Sequence, residues 1–456
     1  MATLAHVEPL EPVPAAFPPE VVAQREAIPA IYGSVDFTQL PERFSTDLAD
    51  QVEMPARFAS RRADLLADSK CLATIRAYTM TGDRTADAYA ALMPEYGFRA
   101  LVDMLDRACD EGLETVEDAP PELRAFIAAM EATPEWLDME LVEQGARTER
   151  NAHVHLTPFV LRGAFIATFM NKYSALPMAL TGTLSNNTAS RRAYETGSFF
   201  TCTLMPGALR RSGAGFKAAA KVRLMHSMVR ANIMRSGKWD VGVYGIPIPQ
   251  VDQMPAGLIG TYLMAREVLD SGRETFTPEE RAKVELARYR CFLLGLPEDL
   301  LSDTPRGIEK LWLTRSATLR AEFEPETCGA LLRATMDAAM TPPEDFDGLA
   351  ANSGAEADVR EPSEPSAPPG TGSGRLSCYD GIDNDFANGD DCDDPACASL
   401  GSCCLGNAAC VGDPATVLRA DFLRCADLPC DDGVTLFGAP LPYLESGFAF
   451  GGDVEY

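Results

Sequence analysis

Between about residue 46 and residue 340, apolar positions return at intervals of three and four, the period of helices with one buried face. ADLLADSKCLATIRAYTM, ADAYAALMPEYGFRALVDMLDRACDEG and PPELRAFIAAMEATP all carry the pattern. Start signals punctuate it. Pro120 and Pro121 open one helix, Thr133 with Pro134 and Glu135 predicts a second start, and Ser190 a third. Thr277 before Pro278 caps TPEERAKVELARYRCFLLGLPEDLL. MPGALRRSGAGFK predicts a glycine turn leading into a helix over about 216–236, closed by Gly237. WDVGVYGIPIPQVD reads as a loop because of Gly242, Gly245, Pro247 and Pro249. No alternation of strand and helix occurs, so an all-α body over 46–340 is predicted.

The pattern fails at both ends. Residues 1–45 are proline-rich with little periodicity and predict an extended N-terminal arm. Residues 341–376 are proline, glycine, serine, alanine and acid, a flexible linker unable to bury a core. A small cysteine- and aspartate-rich appendage follows over 377–432, then a short β-like tail over 433–456. The most apolar stretch, 156–184, is broken by Pro158, Arg162, Lys172 and Pro177. It falls short of the roughly 20 unbroken apolar residues of a membrane span, and a core helix followed by a break is predicted.

Composition divides the chain the same way. The net charge is −27 over 456 residues, but residues 341–456 hold 22 acids and four bases, against 45 and 36 before them. An acidic chain argues against nucleic acid as a partner, since phosphate neutralisation needs a basic surface. Five cysteines are scattered through the first 340 residues and read as small buried apolar groups. Eight lie between Cys378 and Cys430, and such density reads as a disulfide framework made in an oxidising compartment. The N-terminal residues show neither a charged region nor an apolar region of a signal peptide, which points to the cytoplasm instead. These two expectations conflict.

The chain has four histidines, and KVRLMHSMVR sets one of them, His226, between Arg223 and Arg230. At i−3 and i+4 on a helix the three side chains share a face. Two guanidiniums oppose protonation of the ring and call for carboxylate or phosphate groups. Three readings stand: a core histidine bonded to a carbonyl, a general base, or a haem ligand. The absence of a GxSxG elbow and of a cysteine next to His226 weakens the second, and the absence of CxxCH excludes covalent haem attachment. Haem would bring one iron for the ring and two propionates for arginines. Met170, Met178, Met205, Met225, Met228 and Met234 crowd the same region, as an apolar-substrate lining or as ordinary core. His153 and His155 diverge on a helix and make a poor metal pair.

RRAYET with Arg192, Glu195 and Thr196 lies about 30 residues upstream of RxxHxxxR, and the loop with Trp239, Gly245, Pro247, Gln250 and Asp252 lies downstream. This ordered set, with RYRCFLLGLPEDLL after it, resembles the family of haem-dependent oxygenases that includes MpaB and the latex-clearing rubber oxygenases. The resemblance covers roughly 45–340 and implies a multi-helix haem-binding domain. It implies haem b with His226 as proximal iron ligand, Arg223 and Arg230 shaping the cofactor pocket, and Arg192, Glu195 and Thr196 on the opposite, catalytic side. It implies O2 and an apolar, unsaturated small-molecule or polymeric substrate. Rubber-cleaving members place a lysine where this chain has Glu195; a glutamate is a proton acceptor or weak oxygen ligand and cannot mimic a neutral amine. The alternatives are a non-catalytic haem sensor or carrier and a cofactor-free helical interaction domain.

In the appendage, DGIDNDFANGDDCDD offers Asp380, Asp383, Asp385 and Asp390 among glycines. Hard oxygen ligands on tight turns suit Ca2+, although the spacing is not that of an EF-hand. A solvated acidic turn held by cysteines is the alternative, and zinc is the runner-up for the cysteines, which lack paired CxxC spacing.

Overall fold

A computed structural model describes residues 17–181 and 189–337, with side chains except at 151–164, 189–194 and 337. The expectations for the linker, the appendage, its Asp380, Asp383, Asp385 and Asp390, and the tail therefore lie outside the described residues. Within them the protein is all-α, and β pairing is confined to two isolated bridges, Phe44 with Leu319 and Val52 with Arg320.

The spine is the helix Met139–Phe169, whose first turn is closed by the Asp138 carboxylate accepting from the backbone of Glu140 and Leu141 at 2.9 and 3.2 Å. It packs along the helix Pro278–Leu293. Gly145 sits at this crossing because any Cβ there would strike the Ala282 carbonyl and Leu286. The helix Gln250–Asp270 lies between Pro278–Leu293 and Pro305–Thr318. The helix Ala214–Arg235, which carries His226, packs on Arg84–Ala90, Phe98–Asp110 and Ala189–Cys202. The largest core, around Leu101, Leu105, Phe126, Phe216 and Leu286, forms where these helices meet.

Three expectations need correction. Part of the expected extended arm is helical: Pro19–Val22, Gln24–Ala27 and Pro29–Tyr32 are single turns, and Phe17, Ile31, Tyr32 and Phe37 bury against Met80, Ala231 and Ile246. Proline at the first turn sets two of those helices, so the residue type taken for extension in fact starts them. Thr133 opens no helix; residues 133–137 form a turn and the start lies at Asp138. The continuous pattern over 86–112 is broken at Met93–Tyr96 and at Gly97, whose φ of 79° suits glycine. The core helix through Phe169 with a break at Met170–Asn171 is as predicted, and no helix among the described residues is long and apolar enough to cross a membrane.

Thr277 forms a full capping box: its hydroxyl accepts from the Glu280 backbone at 3.2 Å, and the Glu280 carboxylate accepts from the Thr277 backbone at 2.8 Å. Hydrogen bonds from Arg273 and this backbone group hold the Glu280 carboxyl down to about 2. Its ordinary value in an unfolded chain is about 4.3. A carboxyl depressed on folding stabilises the fold above the unfolded value, and that contribution disappears as pH falls towards the folded one. Thr277→Ala should lower the unfolding free energy by about 1 kcal/mol at neutral pH. Between about pH 4 and 2, Glu280→Gln should lose stability less steeply than the parent. Urea unfolding across pH measures both.

Candidate functional site

Arg223 and Arg230 are almost and fully buried, and His226 between them is half-buried. A buried guanidinium is tolerated only with partners in place. Asp83 supplies one. Its Oδ1 caps the helix Arg84–Ala90 by accepting from the Ala86 backbone at 3.1 Å, and it accepts from Arg223 Nη2 at 2.9 Å while Oδ2 accepts from Arg223 Nε. Thr85 accepts a further bond at 2.9 Å, and the guanidinium lies over the Phe126 ring at 5.2 Å. Asp87, one helical turn beyond Asp83, pairs with Arg230, and neither side chain of this second pair reaches solvent.

Arg230 does more than pair. Its Nε donates to the Pro247 carbonyl at 2.9 Å and its Nη2 to the Ile248 carbonyl at 2.7 Å. Ile248 has φ of 48°, a costly conformation for a β-branched residue, and the arginine fork fixes the carbonyls on both sides of it. Trp239 Nε1 donates to the Gly245 carbonyl at 2.7 Å, so the stretch read from the sequence as a loop, in which Val241–Tyr244 in fact forms a helical turn, is held from both ends. On the far side of Asp87 the Tyr32 hydroxyl donates to its Oδ2. Burial, then the Asp87 charge, pushes the Tyr32 hydroxyl well above its ordinary range and keeps it a donor.

The carboxylates that the two arginines require are thus protein groups, where the sequence reading looked to a ligand for them. The acids are remote along the chain from the motif they complete.

His226 turns its Nδ1 towards Gln253 Oε1, 3.3 Å away on the helix Gln250–Asp270. Glu195 and Thr196 are half-buried on Ala189–Cys202, which packs against the His226 helix. Arg192 lies on the same helix, its side chain outside the described residues. The structure therefore brings the helices of both motifs together. The methionines do not form one stripe: Met205 and Met228 belong to the largest core, Met234 packs against the cluster that holds Tyr32, and Met178 against the one that holds Phe169. His153 and His155 are on the Met139–Phe169 helix, outside the described side chains. No cluster of three metal-ligating side chains occurs among the described residues. Cys71, Cys109, Cys291 and Cys328 are buried free thiols, as expected of small apolar groups, but the fifth scattered cysteine, Cys202, is buried and disulfide-bonded, which corrects that reading for it.

Two small cavities lie apart from His226. One is lined by Arg43, Ile75, Thr79, Val251 and Arg315, the other by Met254, Leu258, Thr261 and Trp312. Sequence reasoning missed two further arginines, Arg150 and Arg290, each buried with an Nε lacking a hydrogen-bond partner among the described residues. Arg290 reaches Thr203 Oγ1 at 3.4 Å and lies over Phe200 at 4.7 Å, near the C-terminal end of the Glu195 helix. Glu149 is close enough that Arg290 opposes the upward push of burial on its carboxyl.

An all-α body presenting a helix-borne imidazole between internally paired arginines defines the class of site. Residues 152–356 match the family model described as ER-bound oxygenase mpaB/B'/Rubber oxygenase, catalytic domain. The resemblance drawn from Arg192, Thr196, Arg223, His226 and Trp239 is borne out, since all of these residues fall inside the match. No curated protein matches the chain. A solved structure of latex clearing protein LCP in the closed state aligns with it at 18% identity and a TM-score of 0.39, covering 60% of this chain and 69% of that one.

Removing one member of a buried ion pair strands the other. Asp87→Ala should cost about 3–5 kcal/mol of unfolding free energy. Arg230→Met should cost at least as much, because the Pro247 and Ile248 carbonyls also lose their donor. The double variant should cost clearly less than the sum in a urea-unfolding cycle. Additive losses would mean that the two side chains do not act as a pair.

Proposed function

We propose that this chain is a haem b-dependent oxygenase acting with O2 on an apolar, unsaturated substrate, with His226 as the proximal iron ligand. One observation carries the reading: within the family-matched segment, a half-buried imidazole directs one ring nitrogen to an amide oxygen. Metal-bound histidines characteristically donate their other ring nitrogen in this way. The donor set therefore fits haem iron at His226. Haem, when bound, supplies the O2 activation and electron handling that side chains lack.

The chain's own residues do the rest. Arg223 and Arg230 contribute position more than charge, since Asp83 and Asp87 neutralise them and fix the helix that carries the ring. Glu195 offers a carboxylate able to accept and return a proton, and Thr196 a hydroxyl that donates or accepts, on the helix packed against that of His226. Arg192 lies one turn before them on the same helix.

Expressed with haem supplied, the full chain should be red with a Soret band, and His226→Ala should lose it. Oxygen uptake should accompany an unsaturated isoprenoid or fatty acyl substrate, and Glu195→Gln should slow it by about 10²–10⁴-fold if the carboxylate moves a proton. A colourless protein would favour a cofactor-free interaction domain. A red protein that consumes no oxygen with such alkenes would favour a haem carrier.

A further inference from the structure

The polarity of one buried hydrogen-bond chain can be traced from an end that cannot reverse. The Gly82 carbonyl is only an acceptor, and Gln250 Nε2 donates to it at 2.9 Å. That orients the Gln250 amide, so its Oε1 faces Gln253, whose Nε2 donates to it at 2.9 Å. Gln253 must then present its own Oε1 to His226 Nδ1, at 3.3 Å. An amide oxygen cannot donate, so the ring nitrogen facing it carries the proton. The neutral ring is the Nδ1–H tautomer and its lone pair is on Nε2. Flipping Gln250 would set its oxygen against the Gly82 carbonyl, and flipping Gln253 would set its oxygen against that of Gln250.

The end of the chain is itself held. Gln250 also donates its backbone N–H to the Thr81 carbonyl at 3.0 Å. Gln24 accepts from the Gly82 N–H at 3.1 Å and donates to the Met80 carbonyl at 3.1 Å. Gly82 must be glycine, since a Cβ there would run into the Tyr32 hydroxyl and Asp87 Oδ2. Gln24 and Gln250 are buried, and Gln253 is 9% exposed, so water competes little for these bonds.

We infer that Gln253, itself oriented by Gln250, is a positioning residue that sets the tautomer of His226 and hence which nitrogen offers its lone pair. The inference about function rests on the haem reading above; the tautomer does not. A neutral amide also pulls less on the Nδ1 proton than a carboxylate would, so the ring remains a plain imidazole donor without imidazolate character.

Long-range proton–nitrogen NMR on the full chain, ¹⁵N-labelled at histidine and purified without haem, reads the tautomer directly. His226→Ala assigns the signal. We expect Nδ1–H in the parent and a shift towards Nε2–H in Gln253→Leu. Gln253→Glu keeps an acceptor of the same size; it should restore Nδ1–H and raise the pH at which the ring protonates. With haem added, Gln253→Leu should release it about 10–100-fold faster, and Gln253→Glu should lower the iron reduction potential. Nε2–H in the parent protein, or Nδ1–H unchanged in Gln253→Leu, would overturn the inference. A parent chain that shows Nδ1–H yet takes up no haem would overturn the haem reading and support the tautomer assignment.

Discussion

The arrangement around His226 depends on one interaction, the ion pair of Arg230 with Asp87, from which water is excluded on every side. Such a pair contributes little net stability, because taking both charges out of water costs about as much as their attraction returns. Its strength lies in what it forbids. Neither partner can leave without stranding the other, so the helix Ala214–Arg235 is tied to Arg84–Ala90 in one register. Tyr32 reaches the same carboxylate from the N-terminal segment, and the Pro247 and Ile248 carbonyls reach the same guanidinium from the loop. Four stretches remote in sequence thereby meet at one point. Gly82 lacks a side chain because that point occupies the space where one would stand.

This changes the electrostatic meaning of RxxHxxxR. As a sequence, two cations flanking an imidazole imply repulsion of a third charge and attraction of an anionic ligand. Once Asp83 and Asp87 are in place, both effects are largely cancelled at short range. What remains is geometric: the arginines anchor the helix above and below the ring. The state of the ring is set instead from another side, by the neutral glutamines of the Gln250–Asp270 helix. An amide can choose a tautomer without adding charge, which a nearby guanidinium could not do.

Local features were legible in the sequence, and long-range ones were not. The all-α body follows from periodicity, and Thr277, Pro120 and Gly237 mark helix ends by chemistry that acts within one turn. The Arg223–His226–Arg230 face follows from helix geometry alone. Thr133 misled because a threonine followed by proline and glutamate satisfies the start rule as well as Asp138 does, and tertiary packing chose between them. Asp83 and Asp87 lie 140 and 143 residues from their arginines, so no local rule joins them. A quieter signal was present in QVDQ: glutamines at i and i+3 share a helix face, and two buried amides on one face mark a polar chain directed at something.

The positions of these partners bear on what the folded unit must contain. The family match begins at residue 152, yet Gln24, Tyr32, Gly82, Asp83 and Asp87 all precede it. A chain reduced to the matched segment would keep Arg223 and Arg230 and lose both carboxylates, leaving two buried cations unbalanced. It would also lose the Gly82 carbonyl from which the glutamine polarity propagates. The segment that carries the recognisable motif, Gln250 and Gln253 included, therefore carries only part of the means of positioning it. The rest comes from the first hundred residues, including the proline-rich turns whose composition alone reads as an arm, and the physical site extends well beyond the span that matches the family model.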